Sequence, residues 1–193
     1  FFSAIMLYPL CGRERLSGLG IGGIGSGMIL GILIYAGFIT QAVGITFTTA
    51  SKSAFITGLS SVMVPFFLLC HRRKMPEPVV LIAIAFAAMG MFLLTGPAGG
   101  GFNFGDSLTL ACAICFAAQI YYMGLATAKY DTLALTLVEI STTGVLAGLA
   151  LFFAPVYFVF SWKSVAALLF MTIPGTALAL SVQTWAQKKT PAV

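Results

Sequence analysis

Between Arg15 and Lys52 the chain carries no charged residue at all. Few environments accept such a stretch, because a folded domain in water needs charge or polar side chains at short intervals to cover its surface. A helix crossing ~30 Å of hydrocarbon takes about 20 apolar residues, and Gly27 to Thr48 supplies one such crossing. Marking every charge and asking which gaps hold a crossing gives a series of spans. They are the tail of span A (Phe1 to Cys11), B (Gly27 to Thr48), C (Ser53 to Cys70), D (Val79 to Gly96), E (Asp106 to Ala126), F (Leu133 to Pro155) and G (Val165 to Trp185). The runs are continuously apolar rather than alternating, which excludes the ~10-residue strands of a membrane barrel. The reading is therefore all-α, a polytopic bundle of transmembrane helices with the lipid bilayer as its partner.

Composition agrees. Of 193 residues 60% are hydrophobic and 8% charged, with a mean hydropathy of +1.04, against ~25% charged in a soluble domain. The net charge of +5 would suggest nucleic acid if the bases lined a polar face. They sit instead in short gaps between apolar runs, so no nucleic-acid partner is expected. Cys11, Cys70, Cys112 and Cys115 lack the spacing of a disulfide framework. The sequence opens at Phe1 inside an apolar run and stops just past a basic cluster, so it reads as a fragment of a longer membrane protein.

Charge also sets an orientation. If the gap between A and B is cytoplasmic, so are the gaps C/D and E/F and the end after G. Those regions hold Arg13, Arg15, Arg72, Arg73, Lys74, Lys129, Lys188 and Lys189; the other side holds Lys52 and Lys163. This asymmetry follows the positive-inside rule with no loop out of step.

Small residues form two ridges, Gly23, Gly27 and Gly31 in span B and Gly144 with Gly148 in span F. Such ridges let backbones approach closely, either within the chain or in a homodimer. Pro65 in span C and Pro174-Gly175 in span G are expected to interrupt their helices, and broken helices mark many transport sites. A shift of 138 residues lays span B and the start of C on span G, with Leu30 meeting Leu168, Gly37 Gly175, Thr46 Thr184 and Ala54 Ala192. Spans B and G are five apart, so such a repeat would be inserted upside down.

Polar groups inside hydrocarbon are costly and are functional candidates by default. Glu139 is the one acid well inside a span, ~10 Å from the start of span F. A carboxyl held out of water favours its neutral form, and can take up and release a proton. Gln41, Gln119 and Gln183 sit mid-span, where an amide meets a polar solute without a charge penalty or ties helices together. Gln119 and Tyr122 share a helix face. Lys52 lies at the outer mouth of span C, to meet an anionic group or to snorkel to the interface. Trp185 is a cavity candidate or, like Trp162, part of an aromatic belt. Asp106 opens span E and is expected to cap that helix.

Other matches carry no chemistry. Gly20 to Gly25 fits the pattern G-x-G-x-x-G, but follows a charged loop and has no acid about 20 residues on. Cys112-Ala-Ile-Cys115 has zinc or redox spacing but lies in a membrane span with no second ligand pair. His71 is the only histidine. No metal or cofactor is expected, and no catalytic set.

Several stretches resemble a known family. Gly37-Phe-Ile-Thr-Gln, then Thr48-Thr-Ala-Ser-Lys-Ser-Ala-Phe-Ile-Thr-Gly and Val64-Pro-Phe-Phe, resemble the third and fourth helices of EamA-type permeases of the drug/metabolite transporter superfamily. Gly105-Asp106-Ser-Leu with Gln119 resembles the start of their second repeat, and Gly175-Thr-Ala-Leu-Ala-Leu with Gln183-Thr-Trp-Ala-Gln their eighth helix. The resemblance implies ten helices in two inverted repeats, of which residues 1–104 would hold the end of helix two to helix five and residues 105–193 helices six to eight. It implies a permease or exporter in a bacterial inner membrane, moving a small metabolite or drug by alternating access. Many members carry a Glu-Arg pair inside the end of the fourth helix, where this chain has His71-Arg-Arg-Lys, with Glu77 only after the turn. Two other classes stay open, an intramembrane enzyme and a non-transporting membrane subunit. Polar residues from B, E, F and G around one cavity would favour the carrier.

Overall fold

The computed structural model describes residues 2–72, 78–95, 101–152 and 161–189, and among these there is no strand. The helices are α1 (Phe2–Ser17), α2 (Gly20–Gly44), α3 (Ala50–Gly58), α4 (Ser60–Arg72), α5 (Pro78–Thr95), α6 (Phe104–Thr127), α7 (Thr132–Ala150), α8 (Trp162–Thr172) and α9 (Ala179–Lys189). A π-helical segment, Ile173–Leu178, joins α8 to α9. Helices α2, α6 and α7 are each long and apolar enough to cross a membrane. The chain is an all-α membrane protein.

Each span has its helix, and the differences have physical causes. Span A ends where α1 breaks, at Gly12 with φ +69°, a backbone conformation glycine reaches without steric cost. Helix α2 begins seven residues before span B, because Gly20 to Gly25 is helical rather than a loop. Glycine is a poor helix former, but Gly22 and Gly23 lie against the Tyr130 ring, and that packing outweighs propensity. Span C does divide, yet at Leu59 between α3 and α4, while Pro65 sits inside α4. Span G divides at Pro174-Gly175 as expected, through the π-helical segment; proline has no N–H for the normal ladder, and a wider turn accommodates the loss. The Arg73–Glu77 segment with its Pro76 turn, the end of span F at Pro155 and the Ala192 end of the shifted repeat lie outside the described residues.

The chain forms two compact units. Unit 1 comprises residues 1–32 and 123–191, and unit 2 residues 33–122 with 192–193. These are divisions by packing, unlike the sequence division at residues 104/105.

In unit 1, α1 packs on α7 and on the π-helical segment, and α7 packs on α9. The first half of α2 lies along α7: a Cβ on Gly27 would meet Val138 Cβ at 2.7 Å, and one on Gly31 would meet the Glu139 carbonyl at 2.6 Å. The glycine ridge is thus covered from within the chain. Contacts advance together, from Gly23 and Tyr130 to Gly31 and Thr142, so the two helices run in the same direction. Helix α9 runs the opposite way. Thr136, near the start of α7, pairs with Thr184, near the end of α9, and a parallel arrangement would require a link of roughly 50 Å. The residues between Ala150 and Trp162 reach only ~40 Å. The starts of α2 and α7 and the end of α9 therefore gather at one end of unit 1, as the parity of the base count requires.

In unit 2, α3 packs on α4 and both pack on α5. The Gln41 amide Nε2 donates to Thr57 Oγ1 at 3.0 Å and ties α2 to α3. Gly44 and Gly105 bring the end of α2 against the start of α6, with no room for a side chain on either. Phe47 and Phe104 close the contact edge to face at 5.7 Å.

Candidate functional site

Among the described residues two buried polar clusters stand out, one in each unit. The first, in unit 2, is built on the close approach of Gly44 and Gly105. It brings Thr48 to the head of α6, where its hydroxyl donates to Asp106 Oδ1. Asp106 caps its helix, but as one half of a reciprocal box. Asn103 Oδ1 accepts from the Asp106 N–H at 2.9 Å, and Asp106 Oδ2 accepts from the Asn103 N–H at 3.0 Å. This arrangement satisfies two N–H groups that a helix start otherwise leaves open. Thr49 caps α3 by accepting from the Lys52 N–H, which sets Lys52 in the first turn of that helix. Its ammonium donates to the Gly101 carbonyl at 2.8 Å and lies 3.6 Å from Asp106 Oδ2.

Lys52 is only 7% exposed and Asp106 fully buried. Of the two readings of Lys52, snorkelling to the interface does not hold, since the side chain turns inward to Asp106 of its own unit. Below it, Ser53 and Thr109, both buried, stand 3.5 Å apart. Every charged group in this cluster has a partner of opposite charge or a hydrogen bond, and the cluster joins the heads of two helices.

The second cluster belongs to unit 1. Helix α7 starts at Asp131, whose side chain accepts from the Ala134 N–H at 3.1 Å. From there Thr132, Thr136, Glu139 and Thr143 follow at steps of four, three and four residues, the spacing of one helix face. Glu139 has 0% exposure and sits midway along that stripe, near the centre of α7. At one end of the stripe the Thr143 hydroxyl donates to the Gly31 carbonyl of α2 at 3.0 Å. At the other the Thr136 hydroxyl donates to Thr184 Oγ1 of α9 at 2.9 Å, with both threonines fully buried. The glycine at position 31 is what brings α2 close enough for the first of these bonds.

The opposite side of α7 has a different character. With α1 and α2 it lines an apolar groove of about 770 Å³, flanked by Tyr8, Ile24, Met28, Val138 and Val145. Glu139 is absent from that lining. The groove offers a surface for hydrocarbon, and the stripe carries the polar chemistry.

The other sequence candidates divide between the units. Gln41, Gln119 and Tyr122 belong with Lys52 to unit 2; Gln183 and Trp185 belong with Glu139 to unit 1. Gln119 is 2% exposed and Tyr122 half-buried. Gln41 is engaged by Thr57. On α9 it is Thr184, between Gln183 and Trp185, that turns towards α7; Trp185 is 56% exposed and sits where a membrane-facing aromatic would. Cys112 is buried on α6, and among the described residues no group of three or more metal-ligating side chains gathers. Sequence reasoning missed Thr136, Thr184, Asn103 and Thr48. The stripe had a signal, three threonines and one glutamate at helical spacing in an otherwise apolar span; Thr48 and Asn103 had none, since their role depends on the Gly44 and Gly105 contact.

No family model matches the chain, and no solved structure matches it. It is similar to a protein of Archaeoglobus fulgidus described as an uncharacterized transporter, with 33% identity over 94 residues. Those residues are 49% of this chain and 30% of the relative. The match therefore spans less than a third of that relative's length.

Proposed function

We propose that the chain is part of an integral-membrane secondary transporter, a carrier rather than an intramembrane enzyme or a passive subunit. It moves a small metabolite or drug by alternating access, with Glu139 exchanging the coupling proton. The observation that carries this reading is Glu139 itself. A carboxyl with no exposure, midway along a helix that can cross the bilayer and on a stripe of hydroxyls, stands where an acid is expensive unless it is used. The π-helical interruption between α8 and α9 supports it, since breaks of this kind occur frequently at functional sites. The similarity to an archaeal transporter supports the class. Within it, the residue resemblance favours an EamA-type permease of the drug/metabolite superfamily, with the repeat boundary at residues 104/105, efflux as its direction and the inner membrane as its location. Gln119 and Tyr122 of unit 2 are the polar contacts offered to the solute.

The test uses the full-length protein in proteoliposomes with an imposed pH gradient and a panel of candidate metabolites. Glu139→Gln is expected to abolish gradient-driven uptake while leaving the fold intact. Undiminished uptake in that variant overturns the role of Glu139, and no gradient-driven flux of any panel member by the native protein overturns the carrier reading for that panel.

A further inference from the structure

The first half of α2 has two neighbouring faces of opposite character. Gly23 lies against the Tyr130 ring, and Gly27 and Gly31 lie against α7 with no room for a side chain. Each of these glycines is followed by a large apolar residue, Ile24, Met28 and Ile32. At steps of four the three share one helix face, and they are 44%, 47% and 48% exposed. They form one wall of the groove of about 770 Å³ in unit 1, whose other walls are α1 and α7.

The lining of this groove selects its occupant. Helices of this chain meet over glycines, Gly27 on Val138 and Gly44 on Gly105, as membrane helices do when close packing holds them together. Among the described residues that line the groove none is glycine, so a further helix would be held off by branched side chains. A polar solute finds little there. Three side-chain hydroxyls reach the groove, those of Tyr8, Ser141 and Thr142, and that of Thr142 already donates to the Val138 carbonyl at 2.8 Å. A flexible acyl chain can follow such a surface.

The groove also has a direction. Its length along α7, from Leu137 to Leu146, is ~14 Å, about half of the ~30 Å hydrocarbon thickness and so the depth of one leaflet. At its shallow end, where α1 ends and α2 and α7 begin, it is lined by Leu16. Arg15, next to Leu16, is exposed, and so is Lys129, two residues before the Asp131 cap of α7. The acids at this end are Glu14, which is exposed, and Asp131, which is engaged by the Ala134 N–H. By the positive-inside rule this end faces the cytoplasmic leaflet, the one that carries anionic lipids.

We infer that the groove is a binding site for an anionic phospholipid of that leaflet. An acyl chain lies between α1, α2 and α7, and the headgroup phosphate meets the Arg15 guanidinium, with Lys129 adding to the positive field. Tyr8, which lines the groove one turn before Cys11 on α1, sets its phenol just inside the mouth, where an interfacial aromatic belongs. The site is independent of the carrier reading and of the role of Glu139.

Native mass spectrometry of the full-length protein in detergent, titrated with phosphatidylglycerol and with phosphatidylcholine of the same acyl chains, tests the site. The native protein is expected to bind phosphatidylglycerol more tightly. Arg15→Gln weakens that binding about fivefold, the worth of one base near an anionic surface, and leaves phosphatidylcholine unchanged. Lys163→Gln, a lysine on the other side of the membrane by the base count, changes neither. Met28→Trp and Val145→Trp fill the groove from two different helices, and each loses both lipids. Equal losses in Arg15→Gln and Lys163→Gln reduce the effect to overall charge and overturn the site. Native lipid binding in both tryptophan variants, or no lipid on the native protein, overturns it as well. A dimer of the native protein that disappears in Met28→Trp assigns the groove to a second copy of the chain instead.

Discussion

Asp106 and Glu139 are both fully buried acids, and they stand at different places on their helices. Asp106 stands in the first turn of its helix, accepts from a backbone N–H and a threonine hydroxyl, and faces the Lys52 ammonium. Glu139 stands at mid-helix, in a segment with no Lys, Arg or His, and its stripe consists of threonines. An acid at a helix head with a cation beside it completes a cap and an ion pair. An acid at mid-helix completes no cap, and it is the one proposed to exchange a proton. Burial alone, the property by which both would be singled out, does not separate structure from chemistry; the identity of the neighbours does.

The largest expected effect therefore falls on the unit 2 cluster. Lys52→Ala leaves the Asp106 carboxylate buried without its cation, and loss of one partner of a buried pair costs about 3–5 kcal/mol. Unfolding of the variant in mixed micelles measures it. Because most of that cost is the stranded charge, adding Asp106→Asn to Lys52→Ala is expected to recover part of the loss. If Lys52→Ala unfolds like the native protein, the cluster is not a structural joint, and Lys52 returns as a candidate for binding an anionic solute.

A smaller effect bears on the Glu139 side. Gly31→Ala places a methyl 2.6 Å from the Glu139 carbonyl oxygen, and backbone cannot swing aside as a side chain can. Overpacking of this kind costs about 1–3 kcal/mol. The variant also pulls α2 from α7 and loosens the Thr143 bond to Gly31, so it is expected to lower transport together with stability. Full stability in Gly31→Ala would mean that the two helices do not depend on this contact.

What the sequence makes legible follows from what lipid demands. Span positions are readable because hydrocarbon sets a minimum length, and every span has its helix, with α6 and α7 each starting within two residues of spans E and F. The early start of α2 is not readable, since Gly20 to Gly25 has the composition of a loop and becomes helix only against Tyr130. The break in span C follows Gly58 rather than Pro65, because a proline within a helix costs a hydrogen bond without dictating which nearby peptide gives way. Glu139 is readable as a lone acid in an apolar span. Lys52 with Asp106 is not, because their meeting depends on two glycines in different helices. Thr184 is hidden for a related reason: Gln183 and Trp185 beside it carry the more conspicuous side chains, and only the register of α9 on α7 decides which of the three turns inward.

The smallest expected effect on folding is the one that decides the comparison. Glu139→Gln keeps the size of the side chain and one acceptor oxygen, puts an NH₂ donor in place of the other oxygen, and removes the capacity to gain or lose a proton. If the stripe holds Glu139 for its chemistry, stability in micelles moves by less than about 1 kcal/mol, the range of exchanging one neutral hydrogen-bonding group for another. Transport driven by a pH gradient is lost at the same time. A destabilisation comparable to that of Lys52→Ala would mean that Glu139 is a structural acid like Asp106, serving the contact of α7 with its neighbours. The two acids would then differ only in where on a helix they stand, and the proposed coupling site would have to be sought elsewhere in the chain.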